Sequence, residues 1–72
     1  MISRMQARLM LTLAMVALGG KATPTEVYRF CRKRFPAAKA DNFEYMIRWA
    51  RVILTNQKFL KKNVVRGLWE IR

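Results

Sequence analysis

The side chains best equipped for chemistry are cations and rings, set at helical spacing in the stretch DNFEYMIRWARV. Tyr45, Arg48 and Val52 share one side of a helical wheel there. Trp49, Arg51 and Thr55 lie toward its edges, and Asn42 stands at its start. Such a face makes no bonds; it recognises. A guanidinium forks onto a guanine edge and a carboxamide pairs with adenine, so Asn42, Tyr45, Arg48 and Trp49 are the candidate base contacts. Lys39, just before the helix, is placed for a phosphate, and Arg51 projects sideways to the backbone. Lys58, Lys61, Lys62 and Arg66 follow the helix, while Arg29, Arg32 and Lys33 precede it; all are candidate phosphate contacts. Each has a plainer explanation. Arg48 and Arg51 suit a solvated helix face, Tyr45 and Trp49 suit packing against neighbours, and lysines protect exposed hairpin edges.

Catalytic chemistry is poorly provided for. The chain has no histidine, which removes the commonest general base and metal ligand together. Cys31 is the only cysteine, so neither a disulfide framework nor a cysteine-based metal cluster is available. Glu26, Asp41 and Glu44 fall at helix starts, where capping accounts for them, and Glu70 is left alone on a strand. Ser3, the sole serine, also sits at a helix start, and no phosphate-cradling glycine loop occurs. The expectation is no enzyme, no metal and no cofactor.

Charge points the same way. Fifteen Lys and Arg against four Asp and Glu give +11 over 72 residues, and only Arg4 and Arg8 precede Lys21. A field of that size attracts polyanions or an anionic membrane, with nucleic acid the leading partner. The first twenty residues carry basic groups and then an apolar run over 9–18, like a secretory signal. That run is shorter than the roughly 20 apolar residues a spanning helix needs. Without it the remainder lacks half a core, so the expectation is a cytoplasmic protein with no membrane partner. A chain of this size buries only roughly 60% of its unfolded surface, so one small domain over 1–72 is expected.

Three segments share a start signal. Ser3 to Gln6, Thr23 to Glu26 and Asp41 to Glu44 each set a capping side chain three residues before Gln or Glu. They predict helices over 4–18, 24–34 and 42–56. Gly19-Gly20 stops the first and Pro36 the second. The first helix is apolar nearly all round, with Met5, Leu9, Leu13 and Val16 on one face and Met10, Leu11, Ala14 and Leu18 on the other. It is either a core floor or a core helix with a spare face for a homodimer. In the second helix Val27, Phe30, Cys31 and Phe35 face inward, Cys31 as a small buried hydrophobe. In the third, Phe43, Ile47, Ala50 and Leu54 make the core stripe, widened by Met46 and Ile53. After Lys58 the period turns to alternation, predicting strands over 59–61 and 67–71 joined by a basic turn, with Trp69 in the core.

Three helices and a C-terminal hairpin, with RGLW from Arg66 to Trp69 closing the hairpin and TPTEVYRF opening the second helix, resemble the winged-helix branch of the helix-turn-helix superfamily. The flavour is similar to the HARE-type domains and those that precede restriction-endonuclease modules. The fold class expected is therefore mainly α with a small C-terminal β-hairpin, a three-helix winged helix-turn-helix. The resemblance implies double-stranded DNA binding by a small transcriptional regulator, with the third helix in the major groove and the wing over 58–67 on the backbone. Another class competes: a basic interaction module docking on an acidic partner such as a polymerase subunit or a nuclease, through the first helix or Val64-Val65 at the hairpin tip. Stacking of Tyr45 and Trp49 on RNA or single strands is a third, without a sheet platform to support it.

Overall fold

The computed structural model describes residues 1–62 and 66–72. The tip pair Val64-Val65 lies outside the described residues. The chain is mainly helical with a small antiparallel β element near its C-terminus. In order come α1 (Arg4–Ala17), β1 (Lys21–Ala22), α2 (Pro24–Arg34), a 3-10 turn (Pro36–Lys39), α3 (Phe43–Asn56) and β2 (Trp69–Glu70).

Local chemistry sets two of the three helix starts as expected. The Gln6 N–H donates to Ser3 Oγ at 3.1 Å and the Ser3 N–H to Gln6 Oε1 at 2.8 Å. Thr23 and Glu26 repeat this exchange at 3.2 and 2.8 Å, with Pro24 in the first turn. Reciprocal bonds of this kind satisfy amides that a helix start otherwise leaves to water. Accepting the Thr23 N–H also holds the Glu26 carboxyl below its ordinary range. The third start differs. Asn42 is the N-cap of α3 and makes no side-chain capping bond. Neither Asp41 nor Glu44 caps it as the spacing suggested.

Two helices end alike. The Gly20 N–H donates to Met15 O at 2.8 Å and the Gly19 N–H to Val16 O at 3.2 Å. The Phe59 N–H donates to Leu54 O at 2.9 Å and the Lys58 N–H to Thr55 O at 3.0 Å. Both are Schellman closures, which need a left-handed residue just past the helix. In α1 that residue is Gly19, at φ 84°; in α3 it is Lys58, at φ 66°.

The β element departs from expectation in its pairing. β1 and β2 run antiparallel, with Lys21 opposite Glu70 and Ala22 opposite Trp69. Residues 59–61 contribute one bridge, Leu60 to Ile71, supported by the Lys61 N–H to Glu70 O at 2.7 Å and the Arg72 N–H to Phe59 O at 3.0 Å. The C-terminal strand thus lies between two partners. Lys21–Ala22 is one of them; a two-residue segment shows no alternation from which a strand can be inferred.

The core joins all these elements. α3 contributes Phe43, Ile47, Ala50 and Leu54, α2 contributes Val27 and Cys31, and the β element contributes Ala22, Leu60 and Trp69. From α1 come Ala7, Met10, Leu11, Ala14 and Met15, so the face holding Met5, Leu9, Leu13 and Val16 is turned to solvent. α1 packs chiefly on α3. Ala7 and Ala14 on one helix and Ala50 on the other are fully buried.

Candidate nucleic-acid interface

The core stripe of α3 fixes which residues it turns outward. With Phe43, Ile47, Ala50 and Leu54 buried, the opposite side presents Tyr45, 66% exposed, then Arg48 and Val52. One turn further on, Thr55 and Asn56 continue this side into a basin of about 440 Å³. Lys58, Leu60, Lys61, Lys62 and Arg72 line the rest of it. A ring and a guanidinium on the helix therefore lead into a hollow rimmed by four cations. Thr55, Asn56 and Arg72 were not among the sequence candidates. Arg72 joins the basin because the C-terminal strand returns beside Phe59, the side of the hairpin expected over 59–61 and 67–71.

Lys58 sits there at a conformational cost. A non-glycine residue in the left-handed region costs on the order of 1 kcal/mol. Glycine does this work at the end of α1, whereas α3 carries a lysine there and gains a cation at the basin's edge. A positive charge beside the last carbonyls of a helix also offsets part of that cost.

Other candidates are engaged within the chain. Asn42 spends its side chain on the N-terminal segment: the Ile2 N–H donates to Asn42 Oδ1 at 3.0 Å and Asn42 Nδ2 donates to Ile2 O at 3.2 Å. It is half-buried and holds Ile2 in the core, so the expectation of a base contact gives way to a structural role. Trp49 is half-buried against the core, with the Arg4 guanidinium 5.6 Å from its ring centroid. It too packs rather than projects. Arg32 donates to Glu44 Oε2 at 2.7 Å and lies over the Phe43 ring at 5.3 Å, tying α2 to α3. It is committed to that junction rather than free for a phosphate. Glu70 is not alone: Lys61 Nζ lies 3.2 Å and Lys21 Nζ 4.0 Å from its Oε2, the three groups crossing the sheet. Lys61 therefore reaches the basin partly neutralised.

Arg29, Lys33, Lys39, Arg48, Lys58, Lys62 and Arg66 are exposed, and none has a carboxylate within ion-pair distance among the described residues. Arg51 is half-buried at the side of α3. Arg29 and Lys33 border a shallow recess on α2 with Thr25, Tyr28 and Arg32. Cys31 is buried, and burial pushes its thiol up to about 11, the opposite of what a nucleophile needs. Among the described residues no His, Cys, Asp and Glu side chains group to hold a metal ion. Among the described residues no helix is long and apolar enough to cross a membrane.

The arrangement can bind an extended polyanion. Unpaired surface cations displace the counterions condensed on a phosphate chain, and an exposed arginine on a helix can enter a groove. No protein-family model, curated protein or solved structure matches this chain.

Proposed function

We propose that this chain is a non-enzymatic double-stranded DNA-binding protein of the winged-helix kind, acting as a small transcriptional regulator in the cytoplasm. One observation carries the reading: Tyr45, Arg48 and Val52 stand exposed on α3, and their side of the helix runs directly into the basin of Lys58, Lys61, Lys62 and Arg72. In this proposal α3 enters the major groove, Arg48 reaches a guanine edge and Tyr45 lies beside it. The basin takes the flanking phosphates, with Arg66 extending the contact along the wing. Arg29 and Lys33 on α2, with Lys39 and Arg51, meet the backbone further along. Phosphate contacts outnumber base contacts in this scheme, so affinity is expected to exceed sequence discrimination.

The test is the salt dependence of binding to a random duplex, followed by fluorescence anisotropy. Neutralising about six phosphates gives a log–log slope of roughly −5. A flat response contradicts the proposal and favours an acidic protein partner.

A further inference from the structure

The outer face of α1 is apolar and unpartnered in the single chain. Met5, Leu9, Leu13 and Val16 are 78%, 57%, 44% and 62% exposed. On a wheel of 100° per residue they fall within about 80° of one another. Thr12 borders this stripe, about 20° outside it on the same wheel, and its hydroxyl donates back to Arg8 O at 2.8 Å. The stripe therefore carries no unsatisfied polar group there. Leu9 forms a ridge between two recesses. One, of about 290 Å³, is shared with Met5, Arg8, Thr12 and Leu54; the other, of about 200 Å³, runs from Gln6 and Met10 to Phe35 and Ala37.

We propose that this face is covered by a second copy of the chain, in an antiparallel pairing of α1 with α1 about a two-fold axis near Leu9 and Thr12. Three observations select that occupant. First, the face suits an uncharged surface: the nearest cations, Arg4 and Arg8, are turned to the Trp49 ring at 5.6 Å and to Gln57 Oε1 at 3.2 Å. An acidic protein or an anionic headgroup finds its attraction elsewhere on the molecule. Second, the stripe is self-complementary. An antiparallel two-fold sets Met5 of one copy against Val16 of the other and Leu9 against Thr12, so each Leu9 ridge meets a recess. Third, the area suffices. The four side chains expose on the order of 400 Å², a patch size that is often functional on a monomer. Two such patches with their rims bury on the order of 1,000 Å², the lower bound for a specific interface, which makes the pair a weak, reversible dimer.

This inference stands apart from DNA binding, and salt separates the two. Screening weakens repulsion between like-charged chains and so strengthens the pair, while it weakens the hold on a polyanion. The test is sedimentation equilibrium of the full chain without nucleic acid, from about 1 μM to about 1 mM. The expected mass rises from 8.5 kDa toward twice that value, more steeply at high salt. Leu9→Gln with Val16→Gln shifts the transition at least tenfold to higher concentration and leaves the melting temperature nearly unchanged, because both positions are exposed. Orientation is read by a short bis-maleimide. Chains carrying Met5→Cys cross-link to chains carrying Val16→Cys, whereas Met5→Cys alone does not, since two such positions lie roughly 16 Å apart along the pair. Buried Cys31 does not interfere. A mass fixed at that of one chain, association that the double variant leaves intact, or Met5→Cys cross-linking to itself as well as the mixture does, overturns the proposal.

Discussion

The amide of Asn42 is hydrogen-bonded at both ends to the backbone of Ile2, accepting at 3.0 Å and donating at 3.2 Å. The pair fastens the N-terminal segment to the start of α3 and keeps Ile2 in the core. Asn42→Ala leaves a partly buried N–H and C=O without their partner, a loss of about 1–3 kcal/mol. A lowered urea midpoint checks this. Duplex affinity, measured where the variant is still folded, is expected to stay within about twofold of wild type.

At Lys58 stability and binding are set against each other. Lys58→Gly relieves the left-handed strain and stabilises the chain by about 0.5–1 kcal/mol. It also removes one basin cation, so affinity falls and the salt slope becomes shallower by roughly one. Thermal unfolding and anisotropy on the same variant read the two opposite changes.

Glu26 links stability to acidity. Its carboxyl titrates below its ordinary range because the Thr23 N–H and hydroxyl favour the ionised form. A depressed carboxyl contributes stability above its unfolded value, and that contribution is lost as pH falls through the folded value. Glu26→Gln keeps the reciprocal bonds without the charge. Its melting temperature is expected to fall less than the wild type's between pH 7 and pH 3.

Cys31 tests the core from inside. With its thiol buried and raised to about 11, alkylation at pH 8 is expected to be slow in the native chain and to become fast on adding denaturant. Rapid native labelling would mean that α2 is not seated as described.

What could be read from the sequence was local. The stripe of Phe43, Ile47, Ala50 and Leu54 repeats at helical period, so both the core face of α3 and the outward position of Tyr45 and Arg48 follow from spacing. The Ser3–Gln6 and Thr23–Glu26 exchanges span three residues and announce themselves. Asp41 carried the same local signal, but α3 takes Asn42 as its N-cap, and that side chain is held by a partner 40 residues away. Arg32 with Glu44, and Glu70 between Lys21 and Lys61, are likewise pairings made by tertiary structure. In α1 both faces are apolar, so hydrophobicity could not choose between them. The choice is made by packing, which puts Ala7, Met10, Leu11, Ala14 and Met15 inside. The left-handed turn at Lys58 was hidden because no glycine marks it.

The central claim is that the outward side of α3 meets duplex DNA, and charge reversal at its most exposed cation tests it most directly. Arg48→Glu removes a contact worth about 1–3 kcal/mol and adds repulsion, so affinity for duplex is expected to drop roughly 10- to 100-fold or more. The melting temperature should stay unchanged, because Arg48 is exposed and no ion pair holds it among the described residues. A folded Arg48→Glu chain that binds duplex as tightly as the wild type contradicts the account.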